Sequence, residues 1–240
     1  EKYYDSWTEK YLNSGYGNII QAHRPTNVED LLNYTAKKAG IKDEMKILDA
    51  GCGECGPAVF FAKKFDIKIE ALTISEVQLN HSKKLIKQNE LNNKIKLFKG
   101  DFHNLDNIFQ NEYFDLIIML ESFGHAHNQK KLLKAAEKVL KKNGKIYIKD
   151  YFAKEITGSK KRKKAVKKAI KNMNEAYSYN LPNLNHTIKT LRNKELQLLE
   201  INKHKLPLDN KKSVLEFERK HNIDIYDGGF HYIFLEPLEL

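Results

Sequence analysis

Cysteine and long apolar runs are both scarce in this 240-residue sequence. It has 2 cysteines, Cys52 and Cys55, and both lie within one short glycine-rich stretch. Two neighbouring cysteines cannot build a disulfide framework, which is typical of a chain in the reducing cytoplasm. No run approaches the roughly 18 apolar residues of a membrane span, and the first residues do not resemble a signal peptide. We therefore expect a soluble, cytoplasmic protein without a membrane span.

Acidic residues are also in the minority. The sequence has 31 aspartates and glutamates against 42 lysines and arginines, so its formal net charge is +11. Such an excess attracts anionic substrates or nucleic acid, although a lysine-rich surface without that function has the same composition. The sequence contains no separate RNA-binding module, so nucleic acid is not the favoured partner.

The stretch Ile47–Gly56, I-L-D-A-G-C-G-E-C-G, has the pattern of a buried strand that ends in a tight turn and starts a helix. Glycines at Gly51, Gly53 and Gly56 predict a turn whose backbone amides face a nucleotide-like cofactor. Dinucleotide dehydrogenases use the same spacing. Asp49, two residues before the first glycine, suits a cationic amine and would repel a pyrophosphate. The turn therefore favours S-adenosylmethionine over NAD.

Cys52 and Cys55 also form a C-x-x-C pair, which is the spacing of many redox and zinc sites. A zinc site needs about four ligands, and the sequence has no second cysteine pair. We interpret both cysteines as small residues that fit the turn, and we expect no metal site.

Five apolar segments alternate with helical patterns along the chain. The first ends at the glycine turn, and the others are Ile67–Leu72, Ile95–Phe98, Phe114–Leu120 and Lys145–Asp150. This alternation is typical of a parallel, doubly wound sheet. Near the C-terminus, a glycine turn at Asp227-Gly228-Gly229 predicts an antiparallel hairpin of Ile223–Tyr226 and Phe230–Leu235. The sequence thus predicts an α/β, Rossmann-like, mostly parallel seven-stranded sheet in a single domain, residues 1–240.

Capping residues predict where several helices begin and end. They are a capping box at Thr26-x-x-Glu29 with a stop at Gly40, a second box at Ser75-x-x-Gln78 that opens Glu76–Glu90, and a stop at Gly144 after Gln129–Lys142.

Two further segments are predicted to cover the sheet. Residues 1–25 are rich in aromatic side chains and predict a short helix followed by an irregular flap. Residues 154–186 predict a helical lid, because lysines occupy one face of the helix within Ser159–Tyr179 and apolar side chains the other. The lysines of that face are Lys160, Lys164, Lys167, Lys168 and Lys171. After Pro182, a helical pattern resumes through Ile188, Leu191, Leu196 and Leu199.

Three motifs together resemble the class I S-adenosylmethionine-dependent methyltransferases. They are Asp49-Ala50-Gly51-Cys52-Gly53, Gly100-Asp101-Phe102 and Phe114-Asp115-Leu116-Ile117-Ile118. The resemblance implies cofactor contacts from Asp49, Gly51, Cys52, Gly53, Ile74, Asp101 and Phe102. One departure is Cys55, where the family usually has a third glycine, although Gly56 is adjacent.

A second departure lies at the end of strand two, where the family usually has an acid and this chain has Thr73. Leu72-Thr73-Ile74-Ser75-x-x-Gln78 is similar instead to the subgroup of cyclopropane fatty acid synthases, sterol methyltransferases and prenyl-diphosphate methyltransferases. In that subgroup Thr73 and Gln78 would contact the ribose. Ser75 and Gln78 also form a capping box, and the two interpretations are compatible.

The segment Glu121–His127 follows strand four directly, at the sheet edge where the methyl group should point. A histidine is a natural base for a hydroxyl acceptor, so we expect His125 to be catalytic and Glu121 to anchor the cofactor or the acceptor. The remaining candidates for the acceptor pocket are Tyr16, Arg24, Tyr151, Tyr177, Tyr179 and His231.

The expected reaction is methyl transfer from S-adenosylmethionine to a small, anionic acceptor, and the chain could also form a homodimer. Oxygen is slightly favoured as the methylated atom because histidines dominate the candidate pocket. The subgroup resemblance favours carbon methylation of a prenyl diphosphate or another alkene. An RNA methyltransferase is the third hypothesis, and only the positive charge supports it.

Overall fold

The computed structural model describes residues 1–12, 17–21, 27–153, 156–194, 196–203, 219–220 and 235–240. Its centre is a seven-stranded sheet in the order β3-β2-β1-β4-β5-β7-β6. The strands are β1 (Lys46–Ala50), β2 (Lys68–Thr73), β3 (Ile95–Lys99), β4 (Phe114–Leu120), β5 (Leu140–Ala153), β6 (Asn202–Lys203) and β7 (Leu235–Glu239). The first five are parallel, and β7 runs antiparallel to β5 and β6. The predicted fold class is confirmed.

The described helices alternate with the strands. They are α1 (Lys2–Tyr11), α2 (Val28–Ala39), α3 (Gly56–Lys64), α4 (Glu76–Gln88), α5 (Leu105–Ile108), α6 (Gln129–Val139), α7 (Lys160–Ala176) and α8 (Leu184–Arg192). Short 3-10 turns at Phe102–Asn104 and Phe123–His125 follow β3 and β4.

Two separate cores lie on the two faces of the sheet, because side chains alternate faces along a strand. On one face Ile47 and Ile69 pack with apolar side chains of α2, α3 and α4, among them Phe61. On the other face Leu48 and Ile117 pack with α5, α6 and α8. The strands are therefore covered on both faces, which explains their continuous apolar sequences.

Helix α2 begins one residue later than the capping box predicted. The Asn27 side chain accepts a hydrogen bond from the Glu29 backbone N–H at 3.0 Å, whereas Thr26 lies outside the described residues. An Asn side chain caps a helix as well as Thr does, so the two neighbours could not be separated by sequence. The predicted stop at Gly40 is confirmed, with φ of 73°.

The predicted stop of α6 at Gly144 is wrong. The helix ends at Val139, and Leu140 already pairs with Phe114 of β4. The backbone N–H of Tyr113 donates to Val139 O at 2.8 Å, which draws the chain into the sheet four residues early. The ladder then shifts register, and Asn143 takes the left-handed conformation with φ of 65°. Tertiary pairing thus overrides the local glycine signal.

The C-terminal part is confirmed only in outline. Strand β7 begins at Leu235, where the predicted second strand ended, and its antiparallel partners are β5 and β6. The predicted hairpin segments Ile223–Tyr226 and 230–234 lie outside the described residues. Helix α8 ends at Arg192, so Leu196 and Leu199 do not extend it. In the described part of the chain, no helix combines the length and apolar character needed to cross a membrane.

Candidate functional site

The glycine turn after β1 is fixed by its neighbours in the sheet. The backbone N–H groups of Gly51 and Cys52 both donate to Leu72 O of β2, at 3.0 and 2.9 Å. Gly51 has φ of 95°, and a Cβ added there would lie 2.5 Å from Ser122 Cβ. Glycine is therefore required at this position both by the backbone conformation and by the close approach of the segment after β4.

Cys55 departs from the family pattern at a strained position. Its φ is 59°, the left-handed region that glycine adopts without cost. The next residue, Gly56, allows another close contact, because an added Cβ would lie 2.2 Å from Asn18 O. The Gly56 N–H donates to that same oxygen at 3.1 Å. Gly56 thus lets the segment 17–21 lie against the start of α3.

Asp49 is the penultimate residue of β1 and a buried acid, with 2% of its surface exposed. Burial raises the pKa of its carboxyl group to about 7. Its Oδ2 has no hydrogen-bond partner among the described residues. Such a carboxylate fits a cationic ligand group. It lines a cavity of about 30 Å³ together with Asn18, Ile20, Gln21, Gly51, Cys52, Gly53, Glu54, Pro57 and Leu120.

Thr73 and Gln78 are brought together at the end of β2. The Thr73 hydroxyl donates to Gln78 Oε1 at 2.8 Å, and both side chains are buried. Ser75 Oγ accepts from the Gln78 backbone N–H at 3.2 Å, so the predicted cap exists. Ile74 lies half-buried in the same turn. Their role as cofactor contacts stays a prediction.

Asp101 and Phe102 follow β3. The Gly51 Cβ position lies 3.8 Å from Phe102 Cε1, so Phe102 is adjacent to the glycine turn. Asp101 Oδ1 accepts from the His103 backbone N–H at 2.8 Å and contacts His103 Nδ1 at 2.5 Å. Burial acts to raise the pKa of Asp101, but these hydrogen bonds outweigh it and lower that pKa. The Asn128 N–H donates to His103 Nε2 at 3.2 Å, which places the ring proton of neutral His103 on Nδ1.

Glu121 lies directly after β4 and is not a free carboxylate. Its Oε1 is 2.6 Å from the ammonium group of Lys149, a residue of β5 that is only 2% exposed. Lys149 Nζ also donates to Gln21 Oε1 at 2.8 Å. The ion pair therefore joins β4, β5 and the segment 17–21 beneath the protein surface.

His125 ends the 3-10 turn after Glu121. Its ring makes edge contacts with Tyr4 of α1 and with Tyr179, at centroid distances of 5.4 and 4.8 Å. Its Nδ1 lies 3.2 Å from Ser178 O, so Nδ1 carries the proton in neutral His125 and Nε2 is left as an acceptor. Burial lowers the pKa of His125 to about 4. At neutral pH the ring is uncharged and a weak base.

Asp150 and Tyr179 form the next pair along this edge. The Tyr179 hydroxyl donates to Asp150 Oδ1, and the Gly124 N–H donates to Asp150 Oδ2 at 2.9 Å. Burial raises the pKa of Asp150 to about 7, although these hydrogen bonds oppose the rise. A Cβ on Gly124 would lie 2.0 Å from the Tyr179 ring, so glycine is needed for the tyrosine to lie there.

Family membership follows from comparison with known proteins. The profile of the methyltransferase domain family matches residues 41–221. The chain belongs to the methyltransferase domain family. Its cofactor is S-adenosylmethionine, and the buried carboxyl group of Asp49 beside the glycine turn, whose Oδ2 has no partner among the described residues, fits that cationic molecule.

Three relatives show the breadth of this family. The methyltransferase is 26% identical over 151 residues to a glycine/sarcosine/dimethylglycine N-methyltransferase of Actinopolyspora halophila, which is 63% of this chain and 26% of that protein. It is 32% identical over 112 residues to a sterol 24-C-methyltransferase of Aspergillus fumigatus, 47% of this chain and 29% of that one. A phosphoethanolamine N-methyltransferase of Haemonchus contortus, solved with S-adenosylmethionine, has the same fold, with a TM-score of 0.71 and 19% identity over 98% of this chain and 56% of that one.

This methyltransferase chain spans about a quarter to a third of the length of the two curated relatives. The relatives differ in the atom that they methylate, as their names state. Family membership therefore gives the cofactor and the class of reaction, and the acceptor must be argued from this chain's own residues.

The predicted acceptor residues are distributed unevenly. Tyr151, Tyr177 and Tyr179 pack together beneath α7, against Val166 and Met173. The lysine face of α7 points to solvent. Tyr16, Arg24 and His231 lie outside the described residues, so their roles stay predictions.

Several residues of this site could not be identified from the local sequence pattern. Lys149 and Glu54 are charged residues in segments that look like a strand end and a turn, and only the fold shows that both are 2% exposed. A lysine at the end of a strand that is covered on both faces needs a buried partner, and that rule could have singled out Lys149. Among the described residues, no group of three or more histidine, cysteine, aspartate or glutamate side chains could hold a metal ion.

Proposed function

We propose that this methyltransferase domain transfers a methyl group from S-adenosylmethionine to the amine nitrogen of a small molecule that binds beside Glu121, His125 and Tyr179. The observation that carries the proposal is the arrangement around His125: its Nδ1 lies 3.2 Å from Ser178 O, so Nε2 is left as an acceptor, and the rings of Tyr4 and Tyr179 flank it. A ring that is neutral and weakly basic can accept a hydrogen bond, but it is poorly suited to deprotonate an alcohol. A neutral amine already presents its lone pair and needs no strong base.

When bound, S-adenosylmethionine supplies an electrophilic methyl group on a sulfonium. Asp49 would hold a positive part of the cofactor at the end of β1. His125 Nε2 would accept a hydrogen bond from the acceptor N–H and so aim the nitrogen lone pair. The rings of Tyr4 and Tyr179 flank His125 and would exclude water from the reacting atoms.

The charges at this edge support a neutral or cationic acceptor over an anionic one. Lys149 is matched by Glu121 at 2.6 Å, and Asp150 adds a further buried carboxyl group. The lysines of α7, which together with Arg24 suggested an anionic acceptor, are exposed to solvent, and Arg24 lies outside the described residues. The relatives that methylate glycine, sarcosine and phosphoethanolamine, by their names, add support for nitrogen.

Carbon methylation of an alkene is the second candidate. The two tyrosine rings beside His125 could stabilise a carbocation through their faces, and Glu121 is a nearby carboxylate. The similarity to a sterol 24-C-methyltransferase also supports it.

Labelled methyl transfer separates these candidates. The domain would be incubated with methyl-labelled S-adenosylmethionine and three acceptor sets: small amines such as sarcosine, small alcohols, and geranyl diphosphate. NMR of the product then identifies the methylated atom. We expect label on nitrogen. Label only on oxygen or carbon would overturn the proposal.

A variant of His125 tests its role. We expect His125→Ala to lower kcat/KM for the amine by about 10²-fold, the cost of a misplaced acceptor, while the affinity for S-adenosylhomocysteine stays the same. His127→Ala is the matched control, since His127 lies two residues away, is exposed, and contacts His103, with the two ring centroids 3.8 Å apart. Near-normal turnover by His125→Ala would exclude His125 from the acceptor site.

A further inference from the structure

Three residues that line the small cavity beside the glycine turn each have a buried polar atom without a hydrogen-bond partner among the described residues. The atoms are Asp49 Oδ2, Glu54 Oε1 and Gln21 Nε2, and each of these residues is 2% exposed. An unsatisfied buried polar group costs about 1–3 kcal/mol. A ligand that binds these atoms would recover that cost, so their presence in residues around one cavity indicates a binding subsite.

The hydrogen-bonding groups at the three atoms are complementary to those of an α-amino acid. Two of the unpartnered atoms are carboxylate oxygens, which accept hydrogen bonds, and the third is an amide nitrogen, which donates. An α-amino acid has an ammonium group that donates and a carboxylate that accepts. The methionine part of S-adenosylmethionine has both groups.

We propose that Glu54, together with Asp49, binds the α-ammonium group of the cofactor, and that Gln21 Nε2 donates to its carboxylate. Glu54 is thus a second cofactor-binding acid, at a position in the glycine turn that the sequence did not single out. This proposal rests on the cofactor and is independent of which atom is methylated.

The orientation of Gln21 is fixed by its neighbour. Gln21 Oε1 accepts from Lys149 Nζ at 2.8 Å. Because a lysine ammonium group can only donate, the amide cannot rotate by half a turn without losing this bond. The Nε2 group is therefore directed away from Lys149, as a donor for an anionic group.

The environment of Glu54 directs one of its oxygens in a similar way. Its Oε2 lies 3.4 Å from Nδ1 of His81 on α4, whose side chain is 31% exposed. Oε1 is the atom without a partner. His81 contacts Glu54, and Asp49 and Cys52 are the other titratable residues that line the same cavity. Burial raises the pKa of the Glu54 carboxyl to about 7.

The size of the cavity fits one small group. A volume of about 30 Å³ is large enough to hold a water molecule, and an ammonium group is of similar size. A bound water is thus the rival occupant.

Calorimetry with three ligands distinguishes the occupants. The ligands are S-adenosylhomocysteine, its analogue without the α-amino group, and 5′-methylthioadenosine, which lacks the whole amino-acid part. We expect Glu54→Gln to weaken binding of S-adenosylhomocysteine at least 10-fold and to change binding of the other two less than 2-fold. Gln21→Met should weaken the first two ligands and leave 5′-methylthioadenosine unchanged.

Glu70→Gln is the matched control. Glu70 on β2 is also a buried acid with a raised pKa from burial and an unpartnered oxygen, but it lies outside this cavity. We expect it to leave all three affinities unchanged. An equal loss for all three ligands in Glu54→Gln would mean that Glu54 supports only the fold, and no loss would mean that the cavity holds water only. Either result overturns the proposal, while cofactor binding by the wild type would still stand.

The wild-type protein provides a second test should Glu54→Gln not fold. Protonated carboxyl groups attract an ammonium group less strongly. Affinity for S-adenosylhomocysteine should therefore rise by several-fold between pH 5.5 and 7, whereas affinity for the deaminated analogue should stay flat. Parallel curves for the two ligands would overturn the proposal.

Discussion

The two halves of the site differ in the partners of their buried carboxyl groups. In the cofactor half, at the ends of β1 to β3, Asp49 and Glu54 have carboxylate oxygens without described partners. In the acceptor half, at the ends of β4 and β5, Glu121 pairs with Lys149, and Asp150 accepts from Tyr179. The cofactor half is thus completed by a ligand, whereas the acceptor half is completed by the protein itself.

The difference has an energetic meaning. Buried charges that have protein partners support the fold. Removing one partner leaves the other charge with a desolvation cost that nothing offsets, which destabilises the protein. Buried charges without partners weaken the fold until a ligand arrives. Substitutions in the acceptor half should therefore act mainly on stability, and substitutions in the cofactor half mainly on affinity.

The largest effect is expected at Lys149. We predict that Lys149→Met lowers the free energy of unfolding by about 3–5 kcal/mol, because it removes the cation that lies 2.6 Å from the largely buried Glu121 carboxylate. Urea denaturation measures this change. The double variant Lys149→Met/Glu121→Gln should recover most of the loss, since no isolated charge remains.

An exposed pair is the control for that prediction. Lys171 and Glu175 on α7 lie 3.7 Å apart with side chains 74% and 65% exposed, so Lys171→Met should cost less than about 0.5 kcal/mol. Equal effects at Lys149 and Lys171 would contradict the distinction between the two halves.

A smaller effect is expected on the pH dependence of stability. Asp49, Glu54 and Asp150 have pKa values raised to about 7 in the folded protein, so the folded state binds more protons than the unfolded state between pH 4 and 7. Stability without cofactor should therefore fall as pH rises through 7, by roughly 1 kcal/mol per carboxyl group between pH 6.5 and 8.

His125 contributes little to the change in stability between pH 6.5 and 8. Its pKa of about 4 in the folded protein makes stability rise with pH only up to its unfolded pKa near 6.5. Thermal unfolding at several pH values measures the slope, and Asp49→Asn should reduce it. A slope that Asp49→Asn leaves unchanged would mean that Asp49 ionises normally in the fold.

The smallest effect is expected on the outer face of α7. The triple variant Lys160→Gln/Lys164→Gln/Lys167→Gln should change KM for the acceptor less than 2-fold, because these lysines face solvent and are screened by salt. Steady-state kinetics at low and high ionic strength measures this. A several-fold rise in KM at low ionic strength only would restore the anionic acceptor that the sequence suggested.

The same comparison explains what the sequence could predict. Strand β4 was predicted with the correct bounds, Phe114–Leu120, because a strand covered on both faces is apolar throughout. Asp49 was predicted at the end of β1 because the glycine turn that follows it is a local signal. Both features depend on residues that are adjacent in sequence, and the cofactor half is built largely from such features.

The acceptor half depends on distant pairings that no local pattern encodes. Gln21 and Lys149 are 128 residues apart in sequence, and Tyr179 reaches Asp150 from beyond the helix that separates them. The wrong stop at Gly144 has the same origin, since pairing with β4 decided where the helix ended. Spacing within a segment cannot supply this information.

The contact between Gln21 and Lys149 also has a consequence for synthesis of the chain. Gln21 is made 128 residues before its partner, and at about 5–20 residues per second this delay is roughly 6–25 seconds. During that time the N-terminal segment has no β5 to bind, and the pocket wall that it forms does not yet exist. Ribosome pausing between these two codons would lengthen the period in which the glycine turn is uncovered.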